Sequence, residues 1–347
     1  MPRPARTRTT PRTAASLAAA LATTLTLGAC APGPSTETAS APAASGTGTF
    51  PVVIDHAYGT TEIPAEPTRI VTLGLSDQEP LLALGVAPVA VSEWYGGYDH
   101  ATWPWAQDEL GGAEPVVLNG GERDESNPPL EEVAALEPDL ILSLYNGTTK
   151  EQYDELSKIA PTVVPDEEYA NFAITWQEAT RATGEALGRE DEALGLVAGL
   201  EQAFEDAAAD HPEFVGQEVV VAERFEPGQS IVRSGNDVRA RFFEQLGFEV
   251  PSEIAGATAN EYGEITVSDE RMAELSKDLL VWNVGDAPER RAEIEDLALF
   301  GTLPVVTEDR VLWVDDPEVS GAFTWGTVLS LQFALDELLP QVADVVG

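Results

Sequence analysis

A helix-plus-strand pattern occurs twice in the sequence, and this repeat constrains the fold more than any other feature. Residues 130–142, LEEVAALEPDLIL, have apolar residues at helical spacing, a Pro-Asp break and then a continuous apolar run. Residues 267–281, VSDERMAELSKDLLV, repeat the pattern at an offset of 139 residues, which aligns Glu131 with Glu270. An amphipathic helix that leads into a buried strand is typical of α/β folds. The repeat therefore predicts two α/β halves, each with one glutamate in the first turn of an equivalent helix.

Predicted strands and helices alternate on both sides of one long amphipathic stretch, which favours mostly parallel sheets. Residues 174–210 have apolar residues at helical spacing, and we expect one long helix, with a kink at Gly188, to connect the halves. The chain closes with a predicted helix at residues 325–339. The predicted domains are an N-terminal lobe at residues 50–172, an interlobe helix at 173–210 and a C-terminal lobe at 211–347.

The first 49 residues have the composition of a leader and a tether. Residues 1–29 combine an arginine-rich start with a short apolar run, the layout of a secretory signal peptide. Leu-Gly-Ala-Cys at residues 27–30 is similar to the bacterial lipobox, where cleavage leaves a lipidated cysteine. Cys30 is the only cysteine and cannot form an internal disulfide. We expect a lipid anchor at Cys30 and an extracytoplasmic location, the alternative being a plain signal peptide with a stray cysteine; residues 30–49 should form a disordered tether.

The charge balance excludes one large class of partners. The chain has 19 basic and 60 acidic residues, a formal net charge of −41, with 43% hydrophobic residues. Such a surface repels the phosphates of nucleic acids, so we expect no nucleic-acid partner. An adaptation of the surface for solubility explains the same charge.

The sequence offers little support for an enzyme. It has no Walker loop, no G-x-S-x-G elbow, no His-Glu-x-x-His and no Cys-x-x-Cys motif. Only three histidines are present, His56, His100 and His211, so a His-based catalytic set would need a chance meeting in the fold, and no His/Cys cluster has metal-ligand spacing. We therefore expect a protein that catalyses no reaction, holds no cofactor and does not ligate metal through its own side chains.

The order of these features resembles the solute-binding lipoproteins of bacterial ABC importers, in the subgroup for iron-siderophores, cobalamin and haem. The resemblance covers residues 30–347 and implies the class III fold, in which one long helix joins two lobes. HAYGTTEIP and the closing helix are most similar to the iron-siderophore branch. The residues that carry the resemblance are 56–64 (HAYGTTEIP), 67–73 (PTRIVTL), 130–142, 156–163 (LSKIAPTV) and 327–336 (TVLSLQFALD).

The resemblance also implies a docking role for the two aligned glutamates. In that family a glutamate on each lobe docks into arginine pockets of an ABC permease, and the matching positions are Glu131 and Glu270. A carboxylate in the first turn of a helix is also favoured by the helix dipole without any partner. The implied partner is the permease, and we expect the binding protein itself to be a monomer.

Candidate ligand-binding residues follow predicted strands or begin predicted helices, where clefts of α/β proteins lie. The resemblance implies a ligand-binding role for Arg239, which matches a family position where an arginine reaches the ligand from the start of a helix. Core packing or surface exposure are the alternatives for the aromatic residues, and surface ion pairs for the arginines. The candidates are Trp94, Tyr95, Tyr98, Tyr145, Arg224, Arg239 and Trp325.

One position departs from the family pattern and bears on the ligand. Catecholate binders of the family often have an arginine just after the PDLI strand, where this chain has Tyr145. Together with the negative charge, this favours a neutral or cationic trihydroxamate complex of iron(III), which would arrive already chelated. Haem, with a tyrosine as axial ligand, and cobalamin are the alternatives.

Overall fold

The computed structural model describes residues 48–121, 129–169, 171–255, 257–260, 263–285, 287 and 289–347. In these ranges the strands form a hairpin, β1–β2, and two five-stranded sheets of order β5–β4–β3–β6–β7 and β10–β9–β8–β11–β12. The strands are β1 (Val52–His56), β2 (Gly59–Ile63), β3 (Ile70–Thr72), β4 (Ala90–Val91), β5 (Val116–Val117), β6 (Leu140–Leu142), β7 (Thr162–Val163), β8 (Val219–Glu223), β9 (Gln229–Arg233), β10 (Glu264–Ser268), β11 (Leu279–Asn283) and β12 (Val311–Val314).

Helices cover the sheets and connect them. Of the helices that the structure describes, none has both the length and the apolar character needed to cross a membrane. The α-helices are α1 (Gln78–Ala83), α2 (Leu130–Ala135), α3 (Lys150–Leu156), α4 (Trp176–Ala186), α5 (Glu190–Asp210), α6 (Val238–Gln245), α7 (Ser252–Ala255), α8 (Glu289–Glu295), α9 (Pro304–Thr307), α10 (Pro317–Trp325) and α11 (Val328–Val346).

Both sheets are mostly parallel, as the alternation of elements predicted. All strand pairs of the first sheet are parallel. In the second sheet β8, β11 and β12 are parallel, whereas β9 and β10 pair antiparallel at one edge. The central strands β3, β6 and β11 are buried along their whole length, which explains why they are continuous apolar runs. The predicted α/β fold with two lobes is confirmed.

The two copies of the repeat occupy equivalent places in the two sheets. Asp139 precedes β6 and accepts hydrogen bonds from the Thr68 and Arg69 amides, which lead into the neighbouring strand β3. Asp278 precedes β11 and accepts one from the amide of Glu218, which leads into β8. Each aspartate therefore fixes the start of the adjacent strand.

The helix of the second repeat differs in type from that of the first. Residues 130–135 form the α-helix α2, but residues 269–275 form a 3₁₀ helix. Met272 and Leu275 are the buried residues of that segment and are three positions apart. This spacing places them on one side of a helix with three residues per turn.

The predicted connector consists of two helices rather than one kinked helix. Gly188 has a φ of +64°, and this left-handed conformation ends α4 and reverses the chain. The helices run antiparallel, because Gln177 Nε2 lies 3.3 Å from Glu201 Oε1 and Arg181 Nη1 lies 3.2 Å from Glu190 Oε1. The long interlobe helix is therefore α5, of 21 residues.

Helix α5 belongs to the cores of both lobes. Near its start, Ala193 packs in the cluster that contains Leu140 and Leu142 of the first sheet. Further along, Leu200 and Phe204 pack in the cluster that contains the second-sheet strands β8 and β11. A single helix thus links the two hydrophobic cores.

The prediction that the last helix begins at Trp325 is wrong. Trp325 is the final residue of α10, and Gly326, with a φ of +63°, ends that helix. Thr327 then forms a capping box with Ser330 and starts α11, which continues through Pro340 to Val346.

A buried carboxyl group joins the first lobe to the start of α11. Glu79 of α1 is 1% exposed; it accepts hydrogen bonds from the Thr327 hydroxyl and, at 2.8 Å, from Trp105 Nε1. Burial outweighs these hydrogen bonds and raises the pKa of Glu79 from its usual value of 4.5 to about 7.

The pH dependence of unfolding should report on Glu79. Because its folded pKa is raised, its favourable contribution is present at low pH and is lost as pH rises through about 7. Relative to Glu79→Gln, the wild type should lose roughly 3 kcal/mol of unfolding free energy between about pH 4.5 and pH 8. Urea titrations across this range measure the difference. Glu62→Gln, at an exposed position of β2, is the control, and parallel curves for wild type and Glu79→Gln would contradict the assignment.

Candidate functional site

A cavity of about 1040 Å³ lies between the lobes. This volume is at the upper end of the range for small-molecule sites, which suits a bulky ligand. Side chains from both sheets and from the segment that leads into α4 line it. They include Trp94, Tyr95, Tyr145, Glu223, Arg233, Ser234, Asp237, Arg239, Arg241, Glu264, Asn283 and Thr324.

The carboxyl ends of the strands supply the cavity wall. Trp94 and Tyr145 each come three residues after the end of a first-sheet strand, β4 and β6. Glu223 and Asn283 are the last residues of the parallel strands β8 and β11, whereas Arg233 ends the antiparallel strand β9 and its side chain reaches Glu223. Parallel strands end at the same edge of a sheet, and ligands of α/β proteins bind at that edge.

Aromatic rings form the first-lobe side of the cavity. The Trp94 ring centroid lies 5.3 Å from that of Tyr95 and 5.9 Å from that of Tyr145. Behind Trp94 the buried ring of Trp325 packs at 5.0 Å. These edge-to-face and tilted contacts hold a largely apolar aromatic surface facing the cavity.

A buried aspartate fixes the position of Tyr145. Asp77 accepts hydrogen bonds from the amides of Leu144 and Tyr145 after β6, at 2.8 and 2.9 Å, and from the Gly74 amide after β3, at 3.0 Å. Burial, followed by the charge of Asp237, raises the pKa of Tyr145 to about 12. Tyr145 therefore faces the cavity as a neutral phenol.

Paired charges form the second-lobe side. Arg233 Nε lies 2.5 Å from Glu223 Oε2, and Arg239 Nη1 lies 2.9 Å from Glu223 Oε1. Arg239 also binds both carboxylate oxygens of Asp237 at 2.7 Å, and Arg233 binds Glu264 at 3.0 Å. Burial alone would raise the pKa of Asp237, but the nearby arginine charges lower it. The wall is thus a network of charges that neutralise one another.

The structure brings four of the seven predicted ligand residues to the cavity: Trp94, Tyr95, Tyr145 and Arg239. Ligand contact by these four stays a prediction. In the described part of the chain, the other three lie outside this wall. Tyr98 packs on Trp103 with 4.6 Å between ring centroids, and Trp325 lies behind Trp94.

Arg224 is the third residue outside the wall, and its partner explains why. It is 4% exposed and binds Asp269, with Nη1 2.7 Å from Oδ1 and Nη2 3.1 Å from Oδ2. Successive side chains of an extended segment alternate in direction, so Arg224 points away from the side that Glu223 faces. The expectation that Arg224 faces the cleft is wrong.

Several wall residues were missed by sequence reasoning. Glu223 and Asn283 come just after predicted strands, and the same rule that selects Tyr145 also selects them. Arg233 ends a strand that runs antiparallel to β8, so that rule does not select it. A charged or amide residue at the end of a strand is common on protein surfaces, however, so its type alone does not indicate a cavity.

The histidines lie in separate parts of the structure, each with a partner. His56 Nε2 lies 2.9 Å from Thr61 Oγ1, His100 Nδ1 lies 3.2 Å from the Pro115 carbonyl, and His211 Nδ1 lies 2.8 Å from Glu213 Oε1. Over the ranges that the structure describes, no group of three or more His, Cys, Asp or Glu side chains is placed to hold a metal ion.

The predicted docking glutamates are both on the surface. Glu131 is exposed in the first turn of α2, and Glu270 is exposed in the first turn of the 269–275 3₁₀ helix. Their placement at equivalent positions agrees with the repeat. Cys30, the predicted lipidation site, lies outside the described residues.

Two α/β lobes around a large cavity, linked through a helix shared by both cores, define a binding protein of the two-lobed solute-binding class. The sequence profile of the periplasmic binding protein family matches residues 70–317. The chain belongs to this family, which consists of substrate-binding proteins.

Three known proteins illustrate the similarity. The chain is 30% identical over 238 residues to the probable siderophore-binding lipoprotein YfiY of Bacillus subtilis, covering 66% of this chain and 67% of YfiY. It is 27% identical over 267 residues to the Fe(3+)-citrate-binding protein YfmC of the same organism, covering 76% and 78%. A periplasmic solute binding protein from Mycobacterium smegmatis has 32% identity and a TM-score of 0.75, covering 85% of this chain and 99% of that one.

Removing Glu223 should destabilise the second lobe. Glu223→Ala leaves Arg233 and Arg239 buried with fewer anions, so we expect a loss of roughly 3 kcal/mol in unfolding free energy. Urea unfolding followed by circular dichroism measures it. Glu226→Ala, at an exposed position three residues further on, should change the value by less than about 0.5 kcal/mol. Equal effects of the two substitutions would show that Glu223 does not hold the network.

Proposed function

We propose that the protein captures an iron(III)-siderophore of the hydroxamate type in the interlobe cavity and delivers it to an ABC permease for iron uptake. Binding and release are its whole function, and it catalyses no reaction. The iron arrives as cargo inside its chelator, so no resident cofactor is needed.

The names of the relatives support a ferric chelate as cargo but do not select one. YfiY is named for a siderophore and YfmC for ferric citrate. Iron complexes of these kinds differ in charge, because trihydroxamates of iron(III) are neutral or cationic whereas citrate and catecholate complexes are anionic. The charge of the cavity wall is therefore the informative property.

The single observation that carries the choice of hydroxamate is the charge balance of that wall. The described lining contains three arginines and three carboxylates, so their formal charges sum to zero; they are Arg233, Arg239, Arg241, Glu223, Asp237 and Glu264. Arg233 and Arg239 are already bound to carboxylates of the wall. Arg241 donates to the Asn236 carbonyl instead. A triply anionic chelate would thus be buried with at most one arginine of the described lining to compensate it, which costs several kcal/mol, whereas a neutral one would not.

The aromatic side of the cavity fits the same ligand. Trp94, Tyr95 and Tyr145 present rings against which the alkyl chains of a hydroxamate chelate can pack. Haem is supported less well, because an axial tyrosine binds iron as a phenolate. Burial raises the pKa of Tyr145 to about 12 and also raises that of Tyr98, which opposes loss of the phenol proton.

The proposal includes a lipid anchor at Cys30 and an extracytoplasmic location at the cell membrane. The lipobox-like sequence at residues 27–30 supports it, as does the description of YfiY as a lipoprotein. The proposed partner is a permease of the iron-siderophore class, which would contact the exposed Glu131 and Glu270. The acidic surface makes nucleic acid an unsuitable partner.

Titration of tryptophan fluorescence tests the ligand. We expect saturable quenching by a ferric trihydroxamate with a Kd below about 1 µM. Ferric citrate and a ferric catecholate should bind at least about tenfold more weakly, because most arginine charge of the wall is already paired with carboxylates. Haem and cobalamin are tested in parallel, with a Soret band as the sign of haem binding.

The control for this titration is Trp94→Phe, which keeps an aromatic ring in the wall. It should retain the affinity and lose part of the quenching, because Trp94 is the tryptophan that lines the cavity among the described residues. Tighter binding of the catecholate than of the hydroxamate would contradict the charge argument. Absence of binding by every iron chelate would contradict the proposed function.

Charge reversal of the docking glutamates separates delivery from binding. Glu131→Arg with Glu270→Arg should leave the Kd within about twofold, since both residues lie outside the cavity, and should abolish iron uptake by cells. Glu151→Arg with Glu318→Arg makes the same charge change at exposed first-turn positions of α3 and α10 and should leave uptake intact. Equal loss with both pairs would mean that net charge, rather than docking, controls uptake.

A further inference from the structure

One arginine of the cavity wall is not part of the charge network. Arg241 lies near the start of α6, is half-buried and lines the cavity. Its Nη2 donates a hydrogen bond to the Asn236 carbonyl, and no carboxylate of the described residues forms an ion pair with it. A guanidinium has five N–H donors in a planar fork. Most donors of Arg241 are therefore available to a group in the cavity.

The position of Arg241 on α6 explains why it stays outside the network. Arg239 and Arg241 are two positions apart, which places their side chains about 200° apart around the helix axis. Arg239 binds Glu223 and Asp237, so Arg241 points away from both. Glu244, three positions further along the helix, has its pKa raised by burial and lowered by the charge of Arg241, but the two side chains do not pair in the described structure.

The charge of Arg241 lies next to the aromatic side of the cavity. Burial raises the pKa of Tyr145, and Arg241 is one of the nearby charges that lower it. Arg241 also lines a small second pocket together with Tyr145, Trp176 and Trp325. A ligand that packs against the aromatic rings would therefore bring part of its periphery close to the guanidinium.

Binding of a bulky ligand makes an unpaired guanidinium costly. Before a ligand enters, solvent reaches the half-buried side chain of Arg241. A chelate that fills the cavity displaces that solvent, and a charge that is buried without a counterion is strongly unfavourable. A carboxylate on the ligand removes this cost, because it neutralises the charge and accepts two parallel hydrogen bonds from the fork.

We propose that Arg241 is a specificity-determining residue that binds a carboxylate at the periphery of the ligand. This inference rests on the proposed function and deepens it. The cargo is a ferric hydroxamate with a neutral iron centre and one free carboxylate that does not hold the iron. Arg233 and Arg239 are already paired with carboxylates, so a ligand with several anionic groups is compensated at one of them only.

A ratio of affinities isolates this ion pair. The two probes are derivatives of ferrioxamine B whose terminal amine carries a succinyl group, which ends in a carboxylate, or the matching half-amide, which ends in a neutral primary amide. Wild-type protein should prefer the carboxylate by about tenfold or more, which corresponds to about 1.4 kcal/mol. The net charge of −41 opposes this preference, so the overall field of the protein does not produce it.

In Arg241→Gln the preference for the carboxylate should fall below about twofold or reverse, since the charge and the fork are lost. Tryptophan fluorescence titration of both probes gives the Kd values. If Arg241→Gln does not fold, Arg241→Met replaces it, because it keeps an unbranched side chain without the charge. A ratio within one variant is insensitive to a general loss of affinity.

Arg271→Gln is the matched control. It makes the same change of charge on the 269–275 3₁₀ helix, where the side chain of Arg271 is 58% exposed and pairs with Glu274. Its preference for the carboxylate should equal that of the wild type. An equal fall in Arg271→Gln and Arg241→Gln would show that net charge, rather than an ion pair with Arg241, selects the carboxylate, and would overturn the inference.

The other outcomes distinguish this inference from the proposed function. A preference that is unchanged in Arg241→Gln, or a wild type that binds both probes equally, overturns the role of Arg241 while hydroxamate binding stands. Binding of neither probe by the wild type overturns the proposed hydroxamate function and this inference with it.

Discussion

The second-lobe side of the cavity depends on the carboxylate of Glu223. It accepts hydrogen bonds from Arg233, Arg239 and Asn283, residues that come from β9, α6 and β11. One buried anion thus orients two cations and one amide from three different elements. Arg233 and Arg239 are bound to Glu223 and to neighbouring carboxylates. The wall that a ligand meets therefore has little net charge. The same contact directs the Asn283 oxygen away from Glu223.

Much of the architecture could be predicted because it is repeated. The 139-residue offset between two copies of one pattern indicates two equivalent halves. Asp139 and Asp278 show that the repeated residues have the same structural role in both halves. Each of these side chains ties the start of one strand to the start of its neighbour. Local contacts of this kind are visible in a sequence, since they need a particular residue at a particular distance from a buried strand.

The errors lie where long-range contacts decide between local alternatives. The amphipathic pattern continues through Gly188, and only the packing of α4 against α5 turns a kink into a reversal; a Cβ at Gly184 would lie 2.3 Å from that of Ala193. Arg224 and Arg233 both lie at the ends of second-lobe strands, yet Arg224 is paired with Asp269 outside the cavity and Arg233 lines it. Sequence alone does not show on which side of the sheet each arginine has its carboxylate partner.

Helix α5 and the start of α11 are among the contacts that hold the lobes together, and this affects how selectivity arises. Helix α5 contributes to both cores, and Glu79 of the first lobe is buried against Thr327 at the start of α11. Separating the lobes widely would expose apolar core surface and remove the hydrogen bonds of Glu79. The cavity is therefore largely formed before a ligand enters. In a preformed cavity, discrimination depends on the chemistry of the walls, so the paired arginines and the aromatic rings matter more than the extent of closure.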